Sequence, residues 1–132
     1  MDGKLILVEG LPGSGKSSLA QFLCDQLQRN GHKARWYYED ETPHPVAATQ
    51  ELGAAADFQA YSRAVRRQWR RFAQRTARGR EIAIVESHFL QDAIGPLLLK
   101  DVDPGLIVAH VKAIAKLCLP LEPALVYLHQ LD

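Results

Sequence analysis

Cysteine is scarce: Cys24 and Cys118 are the only two in 132 residues. Both sit among apolar neighbours at helix-like spacing, and neither has a Cys or His at metal-ligand distance along the chain. They read as buried, reduced thiols of a cytoplasmic protein. Net charge is equally sparse, with 16 Lys and Arg against 15 Asp and Glu, a formal +1. Bulk charge therefore points away from nucleic acid as a partner. No uninterrupted apolar run approaches the length of a membrane span, so no membrane partner is expected. The start at Met1-Asp2, with a glycine-rich turn by Gly10, leaves no room for a cleaved leader. What is present is an ordinary globular composition, 47% hydrophobic and 23% charged, which argues against disorder on a large scale. The length suits one domain, 1–132, around one core.

Elements alternate along the chain. Lys4 to Glu9 is a short, nearly continuous apolar run, as expected of a parallel strand covered on both faces. A Gly/Pro/Ser-rich turn follows, and then Leu19, Phe22, Leu23 and Leu27 recur at helical spacing. Asn30-Gly31 closes that helix, since both residues tolerate the left-handed conformation. Lys33 to Glu39, rich in aromatics, suits a second strand. Glu41 to Val46 holds two prolines and reads as a loop. A long helix is expected from Phe58 to Arg78, a third strand from Glu81 to Val85 ending in Glu86, and helical signal from Gln91 interrupted at Gly95-Pro96. Asp103-Pro104 reads as an N-cap followed by proline at the first helical position. Ala124 to Leu128 reads as a fourth strand. Strands alternating with helices predict an α/β fold with a parallel sheet.

Gly10-Leu11-Pro12-Gly13-Ser14-Gly15-Lys16-Ser17 matches G-x-x-x-x-G-K-[ST], the Walker A pattern, at every fixed position. Glycines let the backbone turn several N–H groups toward one point. With the positive end of the next helix, these donors make a site for the β-phosphate of a nucleoside triphosphate. Lys16 can reach the β- and γ-phosphates, and the Ser17 hydroxyl is placed to ligand Mg²⁺. Ser18 faces either solvent or the α-phosphate. A preceding strand and a following amphipathic helix supply the context that the motif requires.

In an open α/β sheet the ligand lies beyond the carboxyl ends of the strands, which singles out Glu9, Glu39-Asp40-Glu41 and Glu86. Glu86 can hold Mg²⁺ through water or orient the attacking group; the alternative is a structural carboxylate bonding loop amides. His88 is more often a structural residue at such a position than a substrate contact. Glu39 can orient a hydroxyl acceptor, and its acidic neighbours favour a neutral or cationic acceptor over a phosphorylated one; the alternative is a solvated acidic turn. His44 and the prolines beside it shape the adjoining loop.

Eight of the 16 Lys and Arg residues fall between Arg63 and Arg80. Arg63, Arg66, Arg67, Arg70, Arg71, Arg75 and Arg78 share one broad side of a helix, opposite Phe58, Tyr61, Val65, Trp69 and Phe72. Three readings stand: a solvated face partly neutralised by the acidic turn, a site for substrate phosphates, or a nucleic-acid surface, the last disfavoured by the neutral net charge. Trp36 reads as core.

With these residues placed, the chain resembles P-loop kinases of the nucleoside and nucleotide kinase type, in particular bacterial ATP-binding proteins described as thymidylate-kinase-like. Val8-Glu9-Gly10 through Ser17 carries the resemblance. Arg35-Trp36-Tyr37-Tyr38-Glu39, Val85-Glu86-Ser87-His88 and Val126-Tyr127-Leu128 echo it. The resemblance implies a three-layer α/β/α P-loop NTPase fold with strand order 2-3-1-4. It also implies ATP and Mg²⁺ at residues 10–18 and Glu39 toward the acceptor. Lys16, Glu39 and Glu86 are the catalytic candidates; Ser17 and Glu86 are the metal candidates. Transfer of the γ-phosphate to a small-molecule acceptor follows as the expected function. The rivals are a non-catalytic nucleotide module and an ATPase acting on nucleic acid. Such kinases carry an arginine after the third-strand acid and another beside the second-strand acid; here stand Ser87-His88 and Asp40-Glu41, which argues against thymidylate. They also continue into an arginine-bearing lid, another helix and a fifth strand, whereas this chain stops at Leu131-Asp132. The expectation is that the natural protein is longer and that the edge of the fourth strand can pair. ATP versus GTP and the oligomeric state stay open.

Overall fold

Leu5–Gly10 is apolar up to its last two residues, buried throughout, and forms the central strand β1. In this computed structural model, which describes residues 3–129, the chain continues through α1 (Lys16–Arg29), β2 (Ala34–Tyr37) and α2 (Phe58–Arg78). There follow β3 (Ile82–Glu86), α3 (Gln91–Leu99), α4 (Pro104–Cys118) and β4 (Ala124–Leu128). The four strands are all parallel in the order β2-β3-β1-β4, as the resemblance implied. Alternation of side chains along β1 builds two cores. Leu5 and Leu7 pack with Trp69 and Phe72 of α2 and Ile114 and Cys118 of α4. Ile6 and Val8 pack on the other face with Ala20 and Cys24 of α1. The result is the three-layer α/β/α P-loop NTPase arrangement. Both cysteines are free and buried.

α2 matches its expected span because its aromatic stripe buries Phe58, Val65, Trp69 and Phe72 while its arginines stay largely outside. Asp103 caps α4 by accepting from the Gly105 amide at 3.0 Å. α1 closes as expected at Asn30-Gly31, with Gly31 in the left-handed conformation (φ 86) and Asn30 at φ −90. One expectation needs correction: α3 runs through Gly95-Pro96 rather than breaking there. Proline removes one i→i−4 bond, yet fully buried Leu97 packs with Leu52, Phe58, Val102 and Ile107, and that packing outweighs the lost bond.

Pro104–Leu121, 18 residues with mean hydropathy 1.4, is long and apolar enough to cross a membrane by length and composition, although His110, Lys112 and Lys116 interrupt its apolar run. In the fold, α4 packs against α2. At the sheet edge β4 keeps Leu125 and Tyr127 each 52% exposed, and among the described residues no strand pairs with its outer side. The end at Leu131-Asp132, on which the expectation of a longer chain rested, lies outside the described residues.

Candidate functional site

β1 delivers the chain to the carboxyl rim of the sheet, where residues 10–17 reverse direction into α1. Gly10 is required by close approach: a Cβ there would stand 2.7 Å from Ser14 Oγ and 3.0 Å from the Leu128 carbonyl oxygen. Gly13 and Gly15 adopt left-handed φ values of 78 and 95. The Ser14 amide and Lys16 Nζ both donate to the Leu11 carbonyl, at 3.1 and 3.0 Å. Lys16 is thus held inside the loop, 6% exposed. Gly15 is the N-cap of α1 and brings no side-chain cap, so the first-turn amides of Lys16, Ser17 and Ser18 keep their donors without a side-chain acceptor. Space above Gly13 and Gly15 is open. A row of uncapped donors, a buried ammonium and open space fit the phosphates of a triphosphate. The adjoining cavity of about 530 Å³ is lined by residues 12, 13 and 15–18 of this loop together with Glu39 and Gln91.

Ser17 Oγ donates to Glu86 Oε2 at 2.7 Å. Parallel pairing sets Val8 opposite Glu86, so the end of β3 lies beside the start of the loop. Glu86 is fully buried, and its other oxygen accepts from Trp36 Nε1 at 3.0 Å and from the Glu39 amide at 3.3 Å. Trp36, expected as core, is half-buried with this polar contact. The hydroxyl and carboxylate assigned to Mg²⁺ thus form one pair. Glu86 also holds the loop amide that its structural reading called for.

Glu39 reaches the same rim. Its carboxyl lies beside that of Asp92, in the first turn of α3, close enough for each to perturb the other. Burial first, then the neighbouring Asp92, raises the Glu39 pKa above the usual carboxylate range. Burial raises Asp92 as well. Ser87 stands beside Glu39, fully buried and at φ 72, and its hydroxyl works against the rise in the Glu39 pKa. His88 Nε2 bonds the Glu39 carbonyl oxygen at 2.9 Å, Nδ1 lies 3.9 Å from Asp92, and the ring packs on His44 at 4.0 Å between centroids. Burial, then the neighbouring His88, lowers the His44 pKa to about 4.

Glu9 does not enter the cavity. Its buried carboxylate accepts from the amides of Phe89, Leu90 and Gln91 at 2.9, 2.9 and 3.2 Å and so fastens the turn that opens α3. Burial raises its pKa, opposed by these amides and by Lys16. This anchor places Gln91 and Asp92, two residues that sequence reasoning missed. An acid in a first helical turn ordinarily answers the helix dipole and carries no signal of a site. The arginines of α2 stay away: none lines the phosphate-loop cavity. The neutralisation expected from the acidic turn goes instead to Arg35, whose guanidinium lies 3.1 Å from Glu41, and no α2 arginine has an ion pair among the described residues.

A family model described as Nephrocystin 3, N-terminal, matches residues 1–88. No curated protein matches the chain. Among solved structures, the crystal structure of APE1195 superposes with a TM-score of 0.56 at 17% identity, over 98% of this chain and 64% of that one, a likeness of fold. This chain therefore spans less than two thirds of that protein's length. The thymidylate kinase from Ehrlichia chaffeensis superposes with a TM-score of 0.39 at 15% identity, over 100% of this chain and 92% of that one, which is too low to bear on fold or function.

Proposed function

The chain belongs to the Nephrocystin 3, N-terminal family, and from the geometry of its loop we propose that it binds ATP with Mg²⁺ at residues 10–18 and transfers the γ-phosphate to a small-molecule acceptor. The observation that carries this reading is the loop itself: uncapped amides at the start of α1, Lys16 folded inside, and Ser17 bonded to Glu86 at 2.7 Å. In this reading the amides and Lys16 receive the β- and γ-phosphates. Ser17 and Glu86 hold Mg²⁺, which offsets charge on the transferring group when bound. Glu39, beside the loop in the same cavity, orients the acceptor.

Lys16→Ala is expected to weaken MgATP binding at least about 100-fold, on the order of 2.7 kcal/mol, with the fold retained. Titration calorimetry beside circular dichroism checks this, and unchanged affinity in a folded variant refutes the assignment. ATP consumed only when acceptors are added supports a kinase; binding without turnover in their presence supports a nucleotide module.

A further inference from the structure

A second cavity, of about 580 Å³, opens between residues 46–52, α2 and α3. Its size is that of a site for a small organic molecule. Val46, Leu52, Tyr61, Val65, Ala93 and Pro96 make its walls largely apolar; no arginine lines it, and its one lysine, Lys100, shares the wall with Glu51 and Asp92. Asp92 stands in its wall, beside His88. His88, with Nε2 on the Glu39 carbonyl oxygen at 2.9 Å and Nδ1 3.9 Å from Asp92, joins this cavity to the one at the phosphate loop, which Glu39 and Gln91 line. A further polar atom at that junction, Gln91 Oε1, is buried without a partner among the described residues. Buried polar atoms without partners cost stability and call for a ligand or water to complete them.

We propose that this second cavity binds the phosphate acceptor, an apolar, hydroxyl-bearing compound without a phosphate of its own, and that Asp92 is the catalytic base that receives its hydroxyl proton. This rests on the kinase reading above. A phosphorylated acceptor is best matched by bidentate guanidinium groups, and the wall offers none, its single Lys100 being set against Glu51 and Asp92. The charged groups that face the Glu39–Asp92 pair are instead mostly acidic, with Glu9 and Asp40 near it and Lys16 the nearby cation. A hydroxyl entering from the apolar cavity meets Asp92 before it meets the phosphate loop. As the acceptor oxygen bonds to the γ-phosphorus, its proton passes to the Asp92 carboxylate. The bond from the γ-phosphorus to the β,γ-bridging oxygen breaks, and ADP leaves with that electron pair. Asp92 then returns the proton to water. Glu39, beside Asp92 and in the wall of the phosphate-loop cavity, orients the same hydroxyl.

The test uses ATP labelled at the γ-position and a panel of free nucleosides and aromatic alcohols, each beside its own phosphate monoester. The wild-type chain is expected to label the free alcohols and not the monoesters. Asp92→Asn is expected to lower kcat about 100-fold or more and to flatten the acid limb of the pH profile, with MgATP affinity by calorimetry within about twofold. Asp92→Glu should restore part of the rate. Ala93→Phe, which fills the cavity, should raise the acceptor KM and leave MgATP affinity unchanged. Wild-type MgATP binding with no labelled alcohol, or with monoesters as the labelled products, overturns the acceptor assignment alone. Failure of MgATP to bind overturns the kinase reading and this one with it.

Discussion

The Ser17 hydroxyl donates to the Glu86 carboxylate across 2.7 Å, although the two residues are 69 positions apart. One closes the phosphate loop and the other closes β3, and parallel pairing of β1 with β3 brings the two ends together. If this pair holds the metal, each partner is needed for the metal-dependent share of binding. Ser17→Ala and Glu86→Gln should each lower MgATP affinity about tenfold while metal-free ATP affinity changes less than about twofold. Calorimetry with Mg²⁺ and with a chelator measures both, and an undiminished response to Mg²⁺ in both variants would sink the metal assignment.

Glu9 acts on stability and on α3. Its carboxylate satisfies three amides in the turn before and into α3, and removing it strands them in a buried setting. Glu9→Ala should cost about 2–3 kcal/mol, and Glu9→Gln, which keeps an acceptor oxygen, about 1 kcal/mol. Urea unfolding reads this as a lower midpoint, and a midpoint equal to wild type for Glu9→Ala would contradict the anchoring role.

His110 should make stability fall in mild acid. It is buried between α2 and α4, and its Nδ1 pairs with Ser62 Oγ at 2.6 Å. Arg66 Nε donates to the same hydroxyl at 3.2 Å, which places a fixed positive charge beside the imidazole. Burial, then the Arg66 charge, lowers the His110 pKa to about 4 from an ordinary 6.5. Between these values the unfolded chain binds the proton and the folded chain does not, so stability decreases as pH falls from about 6.5 toward 4, by at most about 3 kcal/mol. His44 titrates in the same direction, while raised Glu9, Glu39 and Asp92 oppose it, holding protons in the folded state that the unfolded chain has released. The comparison is therefore made between wild type and His110→Gln. Thermal melts from pH 7 to pH 5 should show a smaller loss of Tm in the variant, and parallel losses would contradict the account.

The arginine face of α2 should be dispensable for nucleotide. Arg67 and Arg71 are exposed and absent from the phosphate-loop cavity. Arg67→Ala with Arg71→Ala should leave MgATP affinity within about twofold. A larger loss by calorimetry would revive the reading in which these guanidinium groups hold phosphates.

Much of the fold was legible because its signals are local. The aromatic stripe of α2 and the apolar run of β4 placed those elements at Phe58–Arg78 and Ala124–Leu128, since period and hydrophobicity are read within one element. The loop at residues 10–17 was legible for the same reason: its glycines, lysine and serine do their work within one turn. α3 was misread because proline is a local signal for a break, while the burial of Leu97 that overrides it comes from Leu52, Phe58, Val102 and Ile107 elsewhere in the chain.

By itself, then, the sequence determined the alternating elements, the α/β class and the phosphate loop, all of which depend on neighbours along the chain. Only the tertiary structure decided that Glu9 fastens α3, that Asp92 lies beside Glu39, and that a second, largely apolar cavity adjoins the phosphate loop through His88. These depend on which strand ends share a rim and on how deeply each carboxyl is buried. Both follow from contacts across the sheet and its helices, between residues whose separation along the chain carries no trace of their meeting.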